Sequence, residues 1–294
     1  MDNEKNTELG TMPVGRLMFK LALPAIVAQV INALYNIVDR MYIGHIEGVG
    51  PMALTGVGIT FPIIMLITAF AAMIGMGGAP LAAIHLGEKN RDSAEGILGN
   101  AATLLLILSV VLTAFFLIFQ RPLLMAFGAS ENTIEHALQY MTIYLCGTIF
   151  VMATLGLNAF INTQGFAKTG MLTVLIGAVL NIILDPVFIF VFGMGVRGAA
   201  LATILSQAVS AIWVCHFLTG RKTTIKIKPS RMRLKKEYVV GIISLGISPF
   251  IMQSTESLLN ITLNASLQFY GGDMAVGAMT IIGSISQLGL MPLM

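Results

Sequence analysis

Eight long apolar stretches constrain this chain more than any other feature of its sequence. Only 11% of its 294 residues are charged and 56% are hydrophobic, whereas soluble domains carry about 25% charged residues. Most of the stretches exceed the ~20 residues that a helix needs to cross ~30 Å of hydrocarbon. Since backbone groups in lipid must be paired within each segment, the sequence predicts an all-α polytopic membrane protein. In chain order, spans 1 to 8 cover about 17–43, 52–84, 96–119, 137–160, 169–193, 197–218, 238–268 and 275–294.

The basic residues predict how these spans are oriented. When the loops are assigned alternately to the two sides of a membrane, one side holds 14 of the 17 Lys and Arg residues. Eight of those lie between Arg221 and Lys236, and the other side holds Arg40, Arg121 and Arg197. The positive-inside rule then predicts a cytoplasmic N-terminus for a multi-pass protein of the plasma (inner) membrane.

The loop after span 6 is strongly basic, with the sequence GRKTTIKIKPSRMRLKKE at 220–237. Some basic runs bind nucleic acid. Between two membrane spans, such a run more often determines topology and rests on anionic headgroups. We therefore expect the lipid bilayer, and no nucleic acid, as its partner.

The second part of the chain begins to repeat the first. ALTGVG at 53–58 has an echo in AMTIIG at 278–283, and Pro24 has a counterpart in Pro249. Six helices separate the copies, so both would enter the membrane in the same direction, as parallel repeats. The sequence thus predicts part of a longer transporter-like protein of about twelve helices. The expected domains are a cytoplasmic tail at 1–16, a six-helix lobe at 17–218, a basic cytoplasmic linker at 219–237 and the start of a second lobe (helices 7 and 8) at 238–294.

Polar side chains form one stripe on each of three spans. At 100° per residue, the members of each stripe share a helix face. Polar groups in a span are costly against lipid, so the stripes are expected to face one another or a wet cavity. They consist of Gln29, Asn32, Asn36 and Asp39 in span 1, Asn181 and Asp185 in span 5, and Gln253, Glu256, Asn260 and Asn264 in span 7.

Depth along the helices brings two of the acids together. At 1.5 Å per residue, Asp39, Asp185 and Thr203 lie about 8, 12 and 10 Å below the outer ends of their helices, whereas Glu256 lies about 20 Å down. A single polar residue such as Thr203 often only joins neighbouring helices. Two carboxylates at one depth instead favour a proton or cation site. Arg40, next to Asp39, is expected to point elsewhere and reach outward.

Proline interrupts the same region in the motif NIILDPVFIF at 181–190. Pro186 has no N–H, and its ring presses on the carbonyl of Ile182. The freed carbonyls are expected to add oxygen ligands to the pocket. Pro24 and Pro249 have the same effect on their helices, either as bending points of a gating motion or as static kinks.

Five motifs in this order and spacing resemble the multidrug and toxic compound extrusion (MATE) family, in particular its DNA-damage-inducible-F-like branch of bacterial efflux pumps. The resemblance spans about residue 15 to the end of the sequence, and the five motifs are specific as a set. They are VDRMYIG (38–44), HLGEKNRDSA (85–94), NTQGFAKTGM (162–171), NIILDPVFIF (181–190) and GVRGAALATILSQ (195–207).

The resemblance implies a two-lobed secondary transporter with a central cavity. It implies efflux of cationic amphiphilic drugs or dyes, and hence antibiotic resistance, in antiport with H⁺ or Na⁺ and without any other cofactor. We expect the full-length protein to be monomeric and not to be an enzyme. The expected coupling residues are Asp39, Asp185, Asn181, Thr203 and Glu256, with Na⁺ possible at Asp39 and Asp185 or at Glu256. The expected cavity residues are Gln29, Asn32, Asn36, Asn158, Gln253 and Asn260.

Two other classes of function agree less well with the residues. A flippase for lipid-linked oligosaccharide or peptidoglycan precursors needs basic residues in its cavity to bind pyrophosphate, and the first lobe offers acids instead. An intramembrane enzyme would need a catalytic or metal-binding motif, and the sequence contains no Gly-x-Ser-x-Gly and no metal-ligand spacing.

Overall fold

The computed structural model describes the backbone of residues 13–290. Most of the predicted tail at 1–16 lies outside these residues. Within this range, the structure does not describe the side chains of twelve residues, namely 14, 16–21, 25 and 287–290.

The described residues form helices and no β-strand, which confirms the all-α polytopic fold. Six helices are long and apolar enough to cross a membrane, and a bent pair makes a seventh crossing. The helices are α1 Val14–Gly44, α2 Gly50–Gly87, α3 Arg91–Ala126, α4 Ile134–Cys146, α5 Thr148–Thr163, α6 Ala167–Pro186, α7 Val196–Thr219 and α8 Lys236–Leu290, with a π-helical turn at Val187–Val191 and a 3₁₀ turn at Pro229–Arg231.

Span 4 is divided where the sequence predicts one helix. Its two parts, α4 and α5, meet at Gly147 with a bend of 58°. A Cβ at Gly147 would overlap the side chain of Ile204 in α7, so glycine lets the bend approach that helix closely. The crossing is therefore one broken span, consistent with the close packing through small residues that is typical of membrane helices.

Spans 7 and 8 form the two arms of α8. A straight helix of 55 residues would be about 80 Å long, far more than a bilayer core. The helix breaks at Gly272, whose φ of 63° and ψ of −166° belong to a region that only glycine adopts readily. The long apolar segment therefore consists of two helices joined at this residue.

Helix α2 contacts most of the other helices and packs most extensively against α8. Its glycines permit this contact: a Cβ at Gly77 would overlap the carbonyl oxygen of Ile242 in α8. Further along the same interface, the hydroxyl of Ser257 donates to the carbonyl of Pro62 at 2.9 Å. Lipid tails offer no hydrophobic driving force between helices, so close backbone approach and such hydrogen bonds hold the interface together.

The basic linker is fastened to one end of the lobe. The side-chain oxygen of Gln164, at the end of α5, accepts hydrogen bonds from the N–H groups of Thr224 at 2.8 Å and Ile225 at 3.0 Å. Arg231 pairs with Asp92 of α3 at 2.5 Å. The linker thus packs against the ends of α3 and α5, and its predicted contact with headgroups stays a prediction.

Candidate ion and substrate site

Helices α1, α6 and α7 bring a group of polar side chains together near one end of the lobe. Asp39 and Asp185 are 8% and 0% exposed. The amide of Asn181 donates to Asp185 Oδ1 at 3.1 Å and to Thr203 Oγ1 at 3.4 Å. Asp39 and Asp185 interact electrostatically, so their carboxyl groups lie close to each other. The four residues that the depth count and the polar stripes select are therefore neighbours, and we call them the acidic pocket.

Three oxygen atoms in the acidic pocket have no hydrogen-bond partner among the described residues. They are Asp39 Oδ1, Asp185 Oδ2 and Asn181 Oδ1, and all three are buried. A buried polar atom without a partner costs about 1–3 kcal/mol, more when it is charged. The pocket is therefore suited to a group that supplies positive charge or a donor, such as a proton or a hard cation that prefers oxygen ligands.

The contact between the two carboxyl groups itself requires such a group. Two ionised carboxylates this close repel each other in a low-dielectric setting. A proton shared between Asp39 and Asp185, or a cation bound to both, removes that repulsion. Among the described residues, no three His, Cys, Asp or Glu side chains are grouped so that they could hold a metal ion.

Tyrosines surround the acidic pocket, and the sequence analysis did not select them. Tyr140 and Tyr144 of α4 are each 5% exposed, and their rings stack with centroids 6.1 Å apart. The hydroxyl of Tyr140 lies near Thr203. Tyr35 lies one helical turn before Asp39 and also faces the acids. In the sequence, the available signal was the i, i+4 spacing of Tyr140 with Tyr144 and of Tyr35 with Asp39, which places each pair on one helix face.

Pro186 changes the winding of its helix next to Asp185. Helix α6 continues as far as the proline and then widens into the π-helical turn, where Phe192 N–H donates to the carbonyl of Val187 at 2.9 Å. π-Helical turns occur frequently at functional sites. Because proline has no N–H, the carbonyl of Ile182 lacks its usual donor, and the expectation that such carbonyls add ligands to the pocket stays a prediction.

Arg40 does not extend outward to the membrane surface, so that prediction is wrong. Its guanidinium donates to the carbonyl of Thr280 at 3.1 Å and to the hydroxyl of Ser284, both in the second arm of α8. It also lies over the ring of Phe61 in α2, 5.2 Å from the centroid. A desolvated arginine is stabilised by such carbonyl and aromatic partners. The residue next to Asp39 thus joins α1 to the start of the predicted second lobe.

The other polar residues of α1 continue away from the acidic pocket. Gln29, Asn32 and Asn36 are all partly exposed. The amide of Asn36 donates to the carbonyl of Asn32 at 2.8 Å, so this pair is partly satisfied within its own helix. Their predicted role as cavity residues stays a prediction.

The polar residues of α8 form a separate group. Gln253, Glu256 and Asn260 are partly exposed, and the amide of Asn260 donates to the carbonyl of Glu256 at 2.8 Å and contacts the sulfur of Met65 at 3.7 Å. None of them is among the groups that interact with Asp39. Their predicted role in the second lobe therefore stays a prediction.

Asn158 also lies apart from the acidic pocket. Its amide donates to the carbonyl of Gly170 at 3.3 Å, near the start of α6. Fifteen residues of α6, about 22 Å of helix, separate Gly170 from Asp185. The structure therefore places Asn158 toward the linker end, and its cavity role stays a prediction.

Comparisons with known proteins agree with this arrangement. The model of the MatE family matches residues 24–187. The probable multidrug resistance protein YoeA of Bacillus subtilis is 28% identical over 95% of this chain. The multidrug export protein MepA of Staphylococcus haemolyticus is 24% identical over 87% of this chain. The chain spans 61% and 56% of the lengths of these two relatives.

A solved structure shares the same fold. The MATE multidrug transporter DinF-BH, whose structure was determined as a complex, superposes with a TM-score of 0.91 and is 34% identical. The match covers 97% of this chain and 63% of DinF-BH.

Proposed function

The chain belongs to the MatE family, and from that premise we propose that it forms the first lobe, and the start of the second, of a secondary active multidrug efflux transporter. The proposed cargo is cationic and amphiphilic, and the proposed exchange ion is H⁺ or Na⁺. The acidic pocket is the observation that carries this proposal. It provides two buried carboxyl groups that form no salt bridge with a described residue, although the charge of Arg40 acts on Asp39.

The chemistry of exchange follows from competition for the same oxygen atoms. An ionised acidic pocket attracts an organic cation into the adjoining cavity. A proton or Na⁺ that binds to Asp39 and Asp185 neutralises that charge and weakens the attraction. An ion can shift a transporter between states only by its difference in affinity for them, so the pocket must bind its ion unequally in the inward and outward states.

Two exchange ions are compatible with the donors. A proton needs only the contact between Asp39 and Asp185. Na⁺ needs several oxygen ligands, and the unpartnered atoms of Asp39, Asp185 and Asn181 together with the hydroxyl of Thr203 offer four. Imposing each ion gradient separately distinguishes them.

The loops support the proposed orientation in the plasma (inner) membrane. The basic linker contacts the end of α5 through Gln164 and the start of α3 through Asp92. The most basic segments therefore share one end of the bundle, which is the distribution expected of a cytoplasmic face. The proposal places the N-terminus on that face.

A flippase for lipid-linked precursors is less well supported. Its cavity must bind a pyrophosphate, which requires basic side chains. The cation nearest to the acidic pocket is Arg40, and its guanidinium is occupied by Thr280, Ser284 and the Phe61 ring. The names of the relatives point to multidrug export instead.

The test is ethidium efflux by the full-length gene product in vesicles, with a pH gradient and a Na⁺ gradient imposed separately. Asp39→Asn and Asp185→Asn preserve shape while removing the charge, so each is expected to reduce gradient-driven efflux by about tenfold or more, the loss typical of removing one ion from a charge-dependent site. Glu47→Gln, at an exposed residue of the loop after α1, is the matched control and should leave efflux unchanged.

Normal efflux by both aspartate variants at wild-type expression would refute the assignment of the acidic pocket. Equal losses in Glu47→Gln would show that net charge, rather than this pocket, determines transport.

A further inference from the structure

A pocket of about 400 Å³ opens where the linker meets the six-helix lobe, far along the bundle from the acidic pocket. Its floor is formed by Gly96 and Asn100 of α3, and its wall by Tyr238 at the start of α8. Arg231, Arg233 and Lys235 of the linker also line it. No acidic side chain is part of the lining.

Hydrogen bonds and close packing shape this linker pocket. The side-chain oxygen of Asn100, which is 1% exposed, accepts a hydrogen bond from the N–H of Lys235 at 2.7 Å, and its amide donates to the carbonyl of Arg233 at 3.3 Å. A Cβ on Gly96 would lie only 2.6 Å from the Tyr238 ring, so the ring rests directly on the α3 backbone. The basic residues are therefore held around a defined space by a buried amide.

Two of the three cations are free to bind a ligand. Arg231 is neutralised by Asp92 at 2.5 Å. Arg233 and Lys235 form no ion pair with any residue that the structure describes, although Lys235 Nζ lies 5.4 Å from the centre of the Tyr238 ring. The first turn of α8 follows directly, and its helix dipole adds positive charge, although Glu237 in that turn offsets part of it. The residues that line the pocket therefore carry a net positive charge.

Its depth matches the headgroup layer of a bilayer. Helix α3 has 36 residues, about 54 Å, against ~30 Å of hydrocarbon. Gly96 is the first residue of apolar span 3 and follows the charged residues Arg91, Asp92 and Glu95, so it lies at the edge of the hydrocarbon. Beside the pocket, Leu234 and Val240 are 44% and 52% exposed, so apolar surface adjoins the cations. Basic pockets between membrane helices at this level are suited to anionic headgroups.

We propose that the linker pocket binds a phosphate group, carried by an anionic phospholipid headgroup or by a small soluble phosphate. Arg233 supplies a planar fork for the phosphate oxygens, and Lys235 supplies a point charge. Tyr238 covers the adjoining apolar part. The site is independent of the acidic pocket and of the transported compound.

The test compares two double variants of the full-length gene product, each losing one Arg and one Lys from the same linker. Arg233→Ala with Lys235→Ala removes the two free cations, whereas Arg221→Ala with Lys222→Ala removes exposed charges that do not line the pocket. Native mass spectrometry measures retention of phosphatidylglycerol against phosphatidylcholine, and calorimetry measures binding of inorganic phosphate.

We expect the pocket variant to bind phosphatidylglycerol about twenty-fold more weakly than wild type, since each basic residue near a headgroup contributes roughly a factor of five. The control variant should bind like wild type. If inorganic phosphate shows this difference and phosphatidylglycerol does not, the ligand is a soluble phosphate. Equal affinities in all three proteins, or equal losses in both variants, would overturn the proposal.

Loss of binding through misfolding is excluded by a charge-preserving variant. Arg233→Lys with Lys235→Arg keeps both cations and should retain binding within about threefold, because the Coulomb attraction is unchanged. A loss in this variant as large as in the alanine variant would also contradict a charge-based site.

Discussion

Asn100 of α3 is expected to control how firmly the linker is attached to the first lobe. Its side chain accepts from the N–H of Lys235 at 2.7 Å and donates to the carbonyls of Arg233 at 3.3 Å and Arg231 at 3.5 Å. Asn100→Ala removes all three contacts while leaving the helix intact. Since the linker contains several Lys and Arg residues, trypsin can report its detachment.

The size of the effect follows from these contacts. The 2.7 Å bond and the two longer ones together correspond to about 2 kcal/mol, at about 1 kcal/mol for each good hydrogen bond. When opening is fast relative to cleavage, the cleavage rate follows the population of the open linker. About 2 kcal/mol then corresponds to about thirty-fold faster cleavage in the linker.

The assay is limited trypsin digestion of the full-length protein, with the linker fragments measured over time at low protease. Asn158→Ala is the matched control, because the side-chain amide of Asn158 bonds to Gly170 and to no linker residue among those described. A rise of less than about threefold in Asn100→Ala, or an equal rise in the control, would refute the reasoning, since threefold corresponds to only about a third of the expected ~2 kcal/mol.

Three further substitutions test other contacts of the structure. Gly77→Ala forces a Cβ into the backbone of α8 and should lower the free energy of unfolding in SDS titration by about 1–3 kcal/mol, whereas Gly87→Ala meets open space and should be neutral. Arg40→Ala removes the hydrogen bonds to α8 and should lower the free energy of unfolding by about 2 kcal/mol in the same assay. Arg121 is exposed, so Arg121→Ala is the control and should be neutral. Equal effects of the two substitutions would contradict the contact between Arg40 and α8. Tyr140→Phe removes a hydroxyl that lies near Thr203 of the acidic pocket, so ethidium efflux should fall while expression is unchanged, and normal efflux would exclude a role for that hydroxyl.

The number and type of membrane helices could be predicted from the sequence because the physics of lipid is local. Any stretch of about twenty apolar residues must pair its own backbone groups, so it becomes a helix wherever it lies. The pairing of Asp39 with Asp185 was also predictable, since helices of known rise carry each residue to a definite depth. Two costly carboxylates at one depth have few alternatives to facing each other.

Other features depended on contacts between segments that are distant in the sequence. The bend at Gly147 and the break at Gly272 lie inside apolar runs that continue on both sides, so hydropathy alone does not locate them. Tyr140 is one of several aromatic residues in its span, and only the packing of α4 against α7 brings its hydroxyl near Thr203.

The sequence by itself determined a polytopic helical protein with a buried pair of acids, because burial in lipid penalises each unpaired backbone group and each charge wherever it occurs. Only the tertiary structure decided which partners those groups take. Arg40 illustrates the difference. The cost of burying its charge in the membrane follows from its residue type. Its carbonyl and hydroxyl partners lie some 240 residues away in α8, and its aromatic partner, Phe61, lies on α2. The linker pocket likewise exists only because α3, the linker and α8 meet at one end of the bundle.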